Sequence, residues 1–158
     1  MRTWRDGDGT LTVGTDSGGG DGGGGAAPAD GAREVPLRIA ASYRARTRGL
    51  LGRDGIAGAL MLTPCGSVHT FGMRFAIDVA YLDRKYRVLA VTTMRPGRLG
   101  LPRLRARHVL EAEAGAMERW GVRRGVRVEL TPAPAPAPDP GASGAPGAAE
   151  TPGTSGAA

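Results

Sequence analysis

The apolar residues of this chain arrive in short runs. ALMLTP begins at Ala59, SVHTF at Ser67, FAIDVAYLD at Phe75, RVLAVTTM at Arg87, HVLEAE at His108 and GVRVELT at Gly125, each stopped by Gly, Pro or a charged turn. Such runs are too short for amphipathic helices and fit successive antiparallel strands. With little helix between them they predict a mainly β domain, a small antiparallel β-sandwich or partly open barrel with one short helix and one helical turn.

Two stretches lie outside this pattern. Residues 14–32, GTDSGGGDGGGGAAPADGA, and residues 132–158, with their PAPAPAP run, carry too little apolar surface to offset the entropy of ordering them. We expect both to be disordered, the first as a long loop and the second as a tail. TLTV, residues 10–13, is β-favouring and follows Trp4, so it is expected to pair with EVPLRIA, residues 34–40, across the loop. The organisation read from the 158 residues is therefore one domain: residues 1–13 its first strand, 14–32 a loop, 33–131 the core and 132–158 a tail.

The segment SYRARTRGLLG predicts the short helix, with Ser42 as N-cap and Gly52 as its stop. Helical spacing puts Tyr43, Thr47, Leu50 and Leu51 on an inward face and turns Arg44 and Arg48 outward, with Arg46 at the border reaching in. AGAMERWG reads as the single helical turn.

The formal charge is +6, but residues 33–131 hold 19 Lys and Arg against 8 Asp and Glu, a net of +11. A basic surface of this kind attracts nucleic acid, acidic lipid or small anions, although arginine can equally serve as a solubilising residue. The loop from Arg95 to Arg107 concentrates it, with Arg95, Arg98, Arg103, Arg105 and Arg107 and no acid. It lacks aromatic residues for base stacking and any nucleic-acid motif, which argues against specific nucleic-acid binding. One cysteine, Cys65, excludes an internal disulfide and a multi-cysteine zinc site. No apolar run approaches a membrane span, and the N-terminus lacks a secretory apolar region, so we expect a cytoplasmic protein.

In FAIDVAYLD both faces are largely apolar, so the strand is expected to be central and Asp78 at least partly buried. A buried carboxylate requires a cation or several donors, and Arg46, His69 and strand amides are the available partners. Cys65 and His69 suggest a metal chelate or a thiol with its base. Yet no further ligand set is evident, and four residues of extended chain separate the two by about 13 Å. Neither a catalytic residue, a metal nor a cofactor is assigned on these grounds.

Five blocks in order, AASYRARTRGLLGR, SVHTFGMRFAIDVAYLD, VLAVTTMRPG, HVLEAEAG and WGVRRGVRVEL, resemble the prokaryotic family called domain of unknown function 192. The resemblance spans about Pro36 to Leu130 and implies a compact, mostly β domain without implying an activity. Carried over by position, the family's conserved positions fall on Arg46, Gly49 and Leu50, on His69, Thr70 and Met73, on Asp78 and on Glu111. Leu51, Ala76 and Val126 depart from the family's usual residues. Many relatives carry export signals, and none is seen in this chain.

The expectation is a non-enzymatic binding or accessory module. A central hairpin, VHTFGMRFAID, would place Arg46, His69, Thr70, Asp78 and Glu111 in one semi-buried network under a shallow pocket for an anionic or polar ligand or a peptide. A thiol- or metal-dependent enzyme centred on Cys65 and His69, and a weak electrostatic nucleic-acid binder, are the alternatives.

Overall fold

The computed structural model describes residues 3–14 and 32–134, and the expected disorder of the loop and tail falls largely outside them. Seven strands form one mixed sheet: β1 (Gly7–Val13), β2 (Arg33–Ala40), β3 (Ala59–Leu62), β4 (Ile77–Leu82), β5 (Val88–Met94), β6 (His108–Glu113) and β7 (Val128–Pro132). Their order across the sheet is β5-β4-β6-β3-β2-β1-β7. The sheet curls until its two edge strands meet at one end, where Arg87 bridges Arg127 and the Val88 amide donates to the Val126 carbonyl at 2.8 Å. It does not close into a barrel, so the domain is mainly β and partly open, as the short runs predicted.

β1 pairs with β2 in antiparallel register, Thr10 opposite Pro36 and Leu11 opposite Val35, the pairing expected of TLTV and EVPLRIA. Pro36 lies within β2 without breaking its pairing to β1. The expectation of antiparallel strands throughout fails at one pair, because β2 and β3 run parallel. The connection that reverses the chain between them contains α1 (Tyr43–Arg48), and a parallel pair requires such a crossover. Pro132 completes β7, opposite Gly9.

SVHTF is not a strand. Its backbone bonds go instead to the arginine loop: the Thr70 amide to the Arg98 carbonyl at 2.8 Å, and the Gly100 amide to the Val68 carbonyl at 2.8 Å. Only an isolated bridge, His69 to Leu99, has ladder geometry, and the expected central hairpin is therefore replaced by an ordered loop packed on a second loop. Gly100 makes that contact possible, because a Cβ there would stand 2.7 Å from the Tyr81 hydroxyl and 3.0 Å from the Val68 carbonyl.

Strand alternation divides the core into two clusters, one on each face of the sheet. Met61, Ala80, Leu82 and Leu110 belong to the first, which receives Met117 from α2 (Ala116–Trp120). Leu60, Leu62, Val79 and Val109 belong to the second, which receives Leu50 from the turn after α1. Ser42 caps α1, its hydroxyl accepting a hydrogen bond from the Ala45 amide at 3.2 Å. The helix stops at Gly49 rather than Gly52, in a positive-φ conformation that disfavours other residues. The inward face predicted for α1 is also corrected: Leu50 is buried, but Tyr43, Thr47 and Leu51 are exposed. A helix of six residues is too short to bury a full stripe: none of its residues is fully buried, and Ala45 alone of its apolar side chains packs against the second cluster.

Candidate functional site

Beneath α1, on the second face of the sheet, lies a cavity of about 230 Å³. Its floor is Glu111 of β6, and Arg46, Cys65, Ser67 and His69 contribute polar groups around it. The strand period explains why Glu111 is there. In β6 the residues Val109 and Glu111 share one face and Leu110 and Ala112 the other, so an acid at that position must enter the second cluster, opposite Leu60 and Val79.

Glu111 is 4% exposed. No hydrogen bond from any described residue ends on its carboxylate, whose oxygens keep a narrow opening to the cavity instead of being sealed in protein. Burial without a donor penalises the charged form and pushes its pKa up to about 7. Gly49, at the end of α1, stands over it: a Cβ at that position would lie 4.0 Å from Oε2.

The groups around the floor are differently engaged. The Arg46 guanidinium turns inward as expected and donates to the Ala41 carbonyl and, at 3.4 Å, to the Thr63 carbonyl, which fixes it over the cavity wall. The Cys65 thiol donates to the Ser67 carbonyl at 3.1 Å, and burial pushes its pKa up, with the Glu111 charge adding to the shift. His69 is exposed and stacks on Phe71, ring centroids 5.3 Å apart. It makes no hydrogen bond with Cys65 among the described contacts.

Asp78 lies in β4 on the other face and is 3% exposed, so its expected burial is correct. Its expected pairing with Arg46 is not, since the sheet separates them. The carboxylate accepts from the Thr93 hydroxyl at 2.6 Å and from the Gly115 and Met117 amides at 2.8 and 3.2 Å. Asp78 therefore binds the start of α2 to β4 and β5, satisfying amides that the helix leaves open. Thr70 is buried too and serves the arginine loop: its hydroxyl donates to the Arg95 carbonyl at 2.6 Å and accepts from the Arg98 amide at 2.8 Å.

The five residues expected in one network thus occupy three places. Arg46, His69 and Glu111 meet at the cavity, Thr70 anchors a loop, and Asp78 caps a helix on the opposite face. Sequence reasoning missed Ser67 and the cavity role of Cys65. Their spacing with His69, every second residue along an extended segment, was the available signal, because such residues share a side. Among the described residues no cluster of three His, Cys, Asp or Glu side chains is arranged to hold a metal ion, and no helix is long and apolar enough to cross a membrane.

The architecture defines a mainly β domain whose curled sheet carries a buried acid under a short capping helix. The family profile of DUF192, described as "Uncharacterized ACR, COG1430", matches residues 26–130, and the chain belongs to this family. It is 36% identical over 90 residues to a UPF0127 protein of Pyrococcus horikoshii, covering 54% of this chain and 78% of the relative. A UPF0127 protein of Pyrococcus abyssi is 31% identical over 101 residues, covering 61% and 86%. Among solved structures, a protein of unknown function from Novosphingobium aromaticivorans superposes with a TM-score of 0.60 at 18% identity, covering 76% of this chain and 83% of that one. A putative transcription regulator from Sinorhizobium meliloti gives 0.57 at 16% identity, covering 82% and 98%. At such identities the likeness is one of fold.

Proposed function

We propose that the chain is a non-catalytic binding module whose cavity under α1 takes a small polar ligand. The observation that carries this reading is Glu111, a buried carboxyl with no donor among the described residues, facing a cavity large enough for a small molecule. Leaving a buried acid without a partner costs stability, and a ligand hydroxyl or amine would supply the missing bond. Arg46 and Arg48 also line the cavity, so an anionic group on the same ligand would find a cation within the site.

Thiol chemistry is less well supported. A thiol whose pKa is raised by burial holds little thiolate at neutral pH, and His69 is turned to its stack on Phe71.

The test is a thermal-shift comparison of the wild type with Glu111→Gln and Arg46→Gln, using small amines, hydroxy acids, amino acids and dipeptides. The expected result is stabilisation by one class that falls at least tenfold in affinity in Glu111→Gln. Indifference to every class, or a response unchanged in Glu111→Gln, contradicts the proposal.

A further inference from the structure

We propose that the loop from Arg95 to Arg107 is a docking surface for an anionic lipid bilayer, independent of the cavity. Leu99, Leu101 and Leu104 on this loop are 69%, 76% and 91% exposed. Single exposed leucines are ordinary, but three within six residues of one loop form a patch. Phe71, itself 52% exposed, extends it, because it stacks on His69 and His69 bridges Leu99.

Looseness of the loop does not explain the exposure. Its backbone is fastened to the backbone of residues 66–70 by four hydrogen bonds that include Arg103 amide to Gly66 carbonyl, Gly100 amide to Val68 carbonyl and Gly97 amide to Thr70 carbonyl, each 2.8 Å. The Thr70 amide and hydroxyl hold Arg98 in the same way. Gly100 is buried against Tyr81 while Leu99 and Leu101 on either side of it point out, so the fold presents these leucines on a fixed scaffold.

Charge selects the partner. Arg95, Arg98, Arg103, Arg105 and Arg107 are all exposed, and no acid occurs between Asp83 and Glu111 or in the facing segment 66–74. Leucines that enter the acyl boundary, flanked by arginines that meet anionic headgroups, form an interfacial anchor. Nucleic acid would use the arginines but leave the three leucines in water.

The test is co-sedimentation of the full chain with vesicles of phosphatidylcholine, with and without phosphatidylglycerol. Two variants accompany it: Leu99→Ser/Leu101→Ser/Leu104→Ser and Arg95→Gln/Arg98→Gln/Arg105→Gln. All six residues are exposed, and the backbone bonds that hold the loop remain in both variants. The wild type should bind the anionic vesicles and leave the neutral ones in the supernatant. At about 1 kcal/mol for each arginine near the surface, the arginine variant should bind roughly a hundredfold more weakly. The leucine variant should lose at least tenfold while retaining any weak, salt-sensitive binding to DNA. Failure of the wild type to bind anionic vesicles overturns the proposal. So does undiminished vesicle binding by the leucine variant, which would reduce the loop to a general polyanion surface.

Discussion

Asp78 and Glu111 are both buried acids on central strands, and they are built in opposite ways. Asp78 faces the side of the sheet covered by α2, and three donors from β5 and the start of α2 converge on it. Glu111 faces the side covered by α1, meets no donor from a described residue, and opens onto a cavity. The fold uses the first acid to hold two elements together and leaves the second without a donor from any described residue. The comparison teaches that burial alone does not mark a functional acid; the binding role proposed for Glu111 rests instead on the absence of donors from described residues beside a cavity.

The largest effect that sharpens this contrast is expected at Asp78. Asp78→Ala leaves the Gly115 and Met117 amides without their acceptor and removes the bond from the Thr93 hydroxyl, and should cost roughly 3 kcal/mol in chemical denaturation. A loss below about 1 kcal/mol would mean that water replaces the carboxylate and that the two acids differ less than their geometry implies.

The next concerns Glu111 and runs the other way. Between pH 4.5 and about 7 the folded chain holds a proton that the unfolded chain has released. Stability from this group is therefore complete below the first value, falls as pH rises through the window and stays flat above it, a total of about 3 kcal/mol. Glu111→Gln should remove this dependence and leave the variant more stable than the wild type at pH 8 by about 2 kcal/mol. Destabilisation at pH 8 would show that the carboxylate has partners and would break the comparison.

The smallest effect tests the separation of the two faces. Asp78→Ala and Arg46→Ala should add to within about 0.5 kcal/mol in the double variant, because the residues share no partner. A coupling of 1 kcal/mol or more would return them to one network.

Much of this architecture was legible in the sequence. The short apolar runs gave a mainly β domain, TLTV was placed against EVPLRIA, Ser42 capped the helix, and two apolar faces correctly buried Asp78. The site was less legible, for a reason tied to particular residues. Arg46 and Asp78 suit each other as an inward-reaching cation and a buried acid, but pairing depends on which face each element covers, and that follows from the crossover between β2 and β3. Within HVLEAE the same alternation that buries Leu110 assigns Glu111 to the opposite face. Only the position of α1 shows that a cavity lies there. SVHTF was misread as a strand because its apolar pattern suits one, whereas its amides are taken by the arginine loop.

The most direct measurement of the central claim is the side-chain carboxyl titration of Glu111, followed by carbon-13 NMR in protein labelled at glutamate and assigned with Glu111→Gln. A carboxyl that is buried and lacks donors should titrate at about 7. A midpoint near 4.5, the value of an unperturbed glutamate, would show that water or protein donors already satisfy it and would contradict the account.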